Sequence, residues 1–144
     1  MTAAFEGRAK MTTIEGGCFC GQVRYRIAAA PKASVICHCA SCRRAAAAPA
    51  MPWITCDAEA FALTRGEPRT YRSSPPVTRG FCGACGTPLT YANDVRPGEI
   101  DVTTVSLDEP EAFAPTCHIR LVEALGWVKF GDGLPAYQGW KSEG

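Results

Sequence analysis

No apolar run in this 144-residue chain approaches the roughly 20 residues of a membrane-spanning helix, so the sequence reads as having no membrane partner. Charge of one sign is equally scarce. Fifteen Lys and Arg face 14 Asp and Glu, net +1, with no basic run, which excludes the electrostatic footprint of a nucleic-acid binder. The first ten residues lack the apolar stretch of a signal peptide, so a cytoplasmic location is expected, where thiols stay reduced. Residues 1–12 read as a disordered leader, with Met11 a second candidate start. Large apolar side chains are few: Val, Ile, Leu and Phe make 26 residues, and 22 alanines with nine cysteines inflate the 47% hydrophobic share. A core this thin, in a chain whose net charge of +1 is too small to keep it open, suggests that a metal supplies part of the folding free energy. With no internal repeat and no low-complexity linker, one domain is expected over 13–135, followed by a tail at 136–144.

What the chain does have is clustered cysteine. Seven of the nine fall in three groups, Cys18-Phe-Cys20, Cys37-His-Cys39-Ala-Ser-Cys42 and Cys82-Gly-Ala-Cys85, leaving Cys56 and Cys117 single. Spacings of one or two residues let thiolates converge on one ion and would strain a disulfide. Cys18, Cys20, Cys82 and Cys85 make a four-thiolate set, the second pair in the Cys-Gly-Ala-Cys-Gly pattern of a zinc knuckle. Four thiolates close a tetrahedral shell, so this set is expected to hold a structural zinc. Cys37, Cys39 and Cys42 offer three donors and leave a fourth position for water, substrate or another ligand, the arrangement of a catalytic metal. Candidates to complete that shell are His38, His118 and Cys117. Cys42 falls near the start of an expected helix, Ser41 to Ala48 before Pro49, where the dipole lowers a thiol pKa. Arg43 and Arg44 are candidates to meet the carboxylates of an anionic substrate. Cys56 reads as a small core residue.

Hydrophobic alternation supplies the rest. Val23, Tyr25 and Ile27 face one way while Arg24 and Arg26 face the other, a half-buried strand over 21–27. Further strands are expected at Trp53–Cys56, Phe61–Thr64, Thr70–Arg72, Val77–Phe81, Pro88–Tyr91, Glu99–Leu107 and Cys117–Leu121. Turns at Gly66-Glu67, Pro75-Pro76 and Pro97-Gly98 punctuate them. The fold class is mainly β, antiparallel, with one short helix.

These motifs together resemble the glutathione-dependent formaldehyde-activating enzyme family, also called the GFA or CENP-V domain family. The resemblance runs through Gly17-Cys-Phe-Cys-Gly-Gln-Val-Arg-Tyr25, Cys37-His-Cys-Ala-Ser-Cys-Arg43, Gly66 to Tyr71, Phe81-Cys-Gly-Ala-Cys-Gly-Thr-Pro-Leu89 and Cys117-His118-Ile119. It implies an Mss4-like fold of several small antiparallel sheets around a structural zinc at Cys18, Cys20, Cys82 and Cys85. It also implies a second zinc, expected to be partly occupied, at Cys37, Cys39 and Cys42, where the thiol substrate is handled. The implied activity is that of a carbon–sulfur lyase joining glutathione to a small aldehyde such as formaldehyde. Ala45–Ala48 stands where members often carry a glycine, and Arg120 where a tryptophan is common. Two other classes fit the residues. One is a thiol redox enzyme of the methionine sulfoxide reductase B type using Cys117, though that type carries a second Cys-x-x-Cys where Cys18-Phe-Cys20 stands. The other is a zinc-stabilised binding module without catalysis.

Overall fold

The computed structural model describes residues 13–141, so the expected leader at 1–12 lies outside the described residues. Strands β1 (Ile14–Gly17), β2 (Arg24–Ile27) and β5 (Phe61–Arg65) form a small antiparallel sheet in the order β1-β2-β5. The other strands are β3 (Ala33–Cys37), β4 (Met51–Asp57), β6 (Arg69–Ser74), β7 (Val77–Phe81), β8 (Pro88–Asn93), β9 (Glu99–Thr103) and β10 (Cys117–Ile119). They form a seven-stranded sheet in the order β10-β3-β4-β9-β8-β7-β6. The single α-helix among the described residues, Ala40–Ala46, follows β3. The fold is mainly β, as the alternation and turn residues indicate.

The alternating strand behaves as its pattern requires. Tyr25 and Ile27 are at most 1% exposed, and with Val23 they pack against Ile54, Cys56, Leu89 and Val102 of the large sheet. Successive side chains of a strand point to opposite faces. Trp53, next to Ile54, therefore faces the other way, into a second cluster with Cys37, Cys42, Met51, Cys117 and Ile119. The large sheet thus carries a core on each face, one under the small sheet and one beside the helix.

Two strands lack an alternation signal. In β1 the Ile14-Glu-Gly-Gly stretch has poor strand composition, yet Gly16 must be bare: a Cβ there would stand 2.6 Å from the Ser106 carbonyl oxygen. β3 is short, begins with Ala-Ser and runs straight into the cysteine triplet. The expected strand 99–107 ends at Thr103, where a 3-10 turn, Thr104–Ser106, takes over. One pairing departs from the antiparallel expectation. β10 joins β3 in parallel, Cys117 beside Val35 and Ile119 beside Cys37, a geometry open only to strands distant in sequence. The C-terminal segment then runs beside β10: the His118 amide donates to the Pro135 carbonyl at 2.9 Å, and the Tyr137 amide to the His118 carbonyl at 2.9 Å.

Candidate metal centres

The turn after β1 delivers Cys18 and Cys20, and the loop after β7 delivers Cys82 and Cys85. Their four sulfurs all lie within 4.8 Å of one another. The loops are built around the sulfurs by amide donors: Val23 to Cys18 at 3.2 Å, and Ala84 and Cys85 to Cys82 at 3.4 and 3.5 Å. The Thr87 hydroxyl lies 3.2 Å from the Cys85 sulfur and, with the Thr87 amide, holds that thiol down at about 5. Gly86 turns the chain out of the knuckle at φ +84°, and its amide donates to the Cys82 carbonyl at 2.8 Å. Four converging, amide-supported thiols are a closed ligand set.

Cys37 ends β3, Cys39 caps the helix and Cys42 lies in its first turn; their sulfurs also fall within 4.8 Å of one another. Cys37 and Cys42 are buried, whereas Cys39 is half-exposed and accepts the Cys42 amide at 3.3 Å. Hydrogen bonds from the Cys37 and Cys42 thiols hold Cys39 down at about 2, and the Arg79 charge adds to this. The same contacts push Cys37 up. Cys42 departs from the dipole expectation: its bond with Cys37 lowers it, but Cys39 and burial outweigh that and raise it. The helix is seven residues long, and its capping position, where an anion is best placed, belongs to Cys39.

The remaining candidates sit elsewhere. None of His38, His118 and Cys117 joins the three sulfurs as a donor of that group. Instead, His38 Nε2 lies 2.9 Å from His118 Nδ1, and His118 Nε2 lies 2.8 Å from Asp132 Oδ2. Both rings are buried, at 2% and 4% exposure, and Phe130 packs on them at 5.4 and 4.9 Å. Burial first, then the charges of His118 and Arg43, hold His38 below its usual value. Its Nδ1 is buried without a hydrogen-bond partner. Arg43 does not face the open side: it donates to the carbonyls of His38 at 3.2 Å and Glu123 at 3.1 Å. Cys56 is a core thiol, pushed up to about 12 by burial.

Sequence reasoning missed Arg79 and Asp132 near this site, and marked Arg120 only as a departure from the family pattern. Arg79 lies over the Tyr91 ring at 5.0 Å, and Tyr91 packs against the cluster containing the three cysteines. Among the described residues only the Arg79 Nε donates a hydrogen bond from that side chain, to the Ser73 hydroxyl at 3.1 Å. Arg120 has a left-handed backbone, φ 58°, directly after Ile119; it lies over Trp140 at 5.4 Å and pairs with Glu123. Asp132 stands in a Gly-Asp-Gly turn with no local motif to mark it.

A closed four-thiol group and an open three-thiol group on a two-sheet β scaffold define a protein able to hold metal ions through cysteine. A family model described as glutathione-dependent formaldehyde-activating enzyme matches residues 13–123, and the chain belongs to that family. Among solved structures it is similar to a Rhodobacter sphaeroides protein, Northeast Structural Genomics target RhR83. That likeness has a TM-score of 0.56 at 19% identity, covers 85% of this chain and 98% of the other, and concerns the fold. No curated protein matches the chain.

Proposed function

We propose that the protein is a zinc-dependent carbon–sulfur lyase-type enzyme acting on the adduct of a small thiol, such as glutathione, with a small aldehyde, such as formaldehyde. The observation that carries this reading is the three-sulfur group whose outermost member, Cys39, is half-exposed. All seven donors are thiolates, which suit zinc rather than magnesium or calcium. Cys18, Cys20, Cys82 and Cys85 would hold a structural ion, and Cys37, Cys39 and Cys42 the reactive one. When bound there, zinc would keep a substrate thiol ionised at neutral pH and polarise a carbonyl oxygen.

In the reaction the thiol sulfur bonds to the aldehyde carbon, the carbon–oxygen π bond breaks, and the thiol proton ends on that oxygen. The reverse direction is the lyase step. Thiols add to formaldehyde unaided, so the chain need contribute little beyond proximity and ionisation. Arg79, with its terminal nitrogens uncommitted among the described residues, is suited to a substrate carboxylate. The redox reading is disfavoured because the Cys117 thiol is only 1% exposed.

The test is NMR exchange between free formaldehyde and its glutathione adduct. The rate should rise with protein concentration above that of buffer; a rate that never leaves the buffer value would sink the proposal. Arg79→Ala should raise the KM for glutathione by about 10-fold, one charged hydrogen bond's worth, and leave that for uncharged 2-mercaptoethanol unchanged. An equal effect on both thiols would remove Arg79 from carboxylate recognition.

A further inference from the structure

His38 stands in the chain between two of the three grouped sulfurs, yet its ring is held from the other side of the sheet. Cys117 and Ile119 pack toward the thiols, so the intervening His118 points away from them. On that reverse side His118 bridges His38 and Asp132, at 2.9 and 2.8 Å. With both rings neutral, one proton arrangement satisfies the chain. His118 Nε2–H donates to the Asp132 carboxylate, leaving His118 Nδ1 to accept from His38 Nε2–H.

We propose that Asp132, His118 and His38 are positioning residues: two buried rings tied to a surface carboxylate, an anchor that fixes the Cys37–Cys39 turn in its metal-binding geometry. Metal affinity at the three-cysteine group is thereby coupled to docking of the segment 130–137. The inference rests on the metal reading of that group. The segment is organised around the two rings. Phe130 packs on both, Asp132 Oδ1 accepts the Leu134 amide at 3.0 Å, and Pro135 and Tyr137 bond to the backbone of His118. Arg43 grips the same turn from the helix through the His38 carbonyl.

Packing alone does not call for an imidazole here: His38 Nδ1 is buried unpaired, and the side-chain bond the ring makes among the described residues is the one to His118. What an imidazole adds is a directed bond that sets ring orientation, and through it the backbone between Cys37 and Cys39. Groups of this kind behind metal ligands tune affinity without touching the ion. Coupling of this sort is reciprocal, so metal at the three sulfurs must also tighten the segment.

Zinc titrations against a chromophoric chelator test this, using wild type, Asp132→Ala and Asp132→Asn. Wild type should bind two equivalents. Asp132→Ala should bind the second on the order of 10–100-fold more weakly, with the first unchanged. Asp132→Asn, which keeps an acceptor for His118, should recover most of the affinity. Cobalt loaded at the second site of Asp132→Ala should show an altered thiolate charge-transfer band. Equal affinities in wild type and Asp132→Ala, or equal weakening of both sites, overturns the anchor. One equivalent in wild type overturns the metal reading instead, and the anchor with it. If Asp132→Ala does not fold, hydrogen exchange on wild type decides. The Tyr137 and His118 amides should gain protection with the second equivalent and not the first; no gain overturns the coupling.

Discussion

Cys82→Ser will not give a stably folded protein at 25 °C, whereas Cys56→Ser will fold with its melting temperature lowered by only a few degrees. The two thiols are equally buried, at 1% and 0% exposure, and both pack in the core between the sheets. Burial therefore predicts the same cost for each, about 1–3 kcal/mol for placing a hydroxyl in an apolar site. The difference is that Cys82 belongs to the four-sulfur group and Cys56 to none. A structural zinc held by thiolates contributes on the order of 10–16 kcal/mol to folding, against about 5–15 kcal/mol of net stability for a domain. Losing one ligand removes much of that contribution and leaves three unneutralised thiols in a confined space. The check is circular dichroism melting of the two variants side by side. Equal losses would reduce Cys82 to an ordinary core thiol and dismiss the structural ion.

At the other group the same chemical change should leave the fold intact and stop the reaction. Cys39→Ser is expected to bring formaldehyde–glutathione exchange down to the buffer rate while the melting temperature shifts by only a few degrees. Cys39 is half-exposed at the rim of its cluster, so little apolar contact is lost. Its structural service is to accept the Cys42 amide at the helix cap, and a serine hydroxyl performs that well. What serine cannot supply is a thiolate, and two sulfurs do not hold an ion in a catalytic geometry. Exchange measured on the folded variant decides: retained activity would move the chemistry elsewhere, and unfolding would make the triplet a structural device.

Both results depend on groupings that the chain displays openly. Close-set thiols are a local signal, readable because the spacing itself limits where the sulfurs go. The strand through Val23, Tyr25 and Ile27 is legible for the same reason, since alternation is set by the backbone. What could not be read was whatever depends on a partner far away. The parallel pairing of β10 with β3 leaves no mark in Cys117-His118-Ile119, and β1 exists because Gly16 passes close under Ser106. Asp132 becomes a partner of His118 only once the C-terminal segment lies along β10. Arg43 carried the same sequence signal as Arg79, a cation near a reactive motif. Only the three-dimensional arrangement shows that the first is occupied by carbonyls and that the second lies over Tyr91, which packs against the cluster holding the thiols.

The pairing of β10 with β3 also sets an order of events during synthesis. The thiols of residues 37–42 leave the ribosome long before their flanking strand exists, since His38 and His118 are 80 residues apart. The four-sulfur group closes earlier, across the 62 residues that separate Cys20 from Cys82. A chain growing at about 5–20 residues per second therefore carries an uncapped, oxidisable triplet for several seconds after its first knuckle can form. The side of the molecule that carries the three-cysteine group is the last to be sheltered, and a nascent chain stalled before residue 117 would expose those thiols to the full oxidant load of their surroundings.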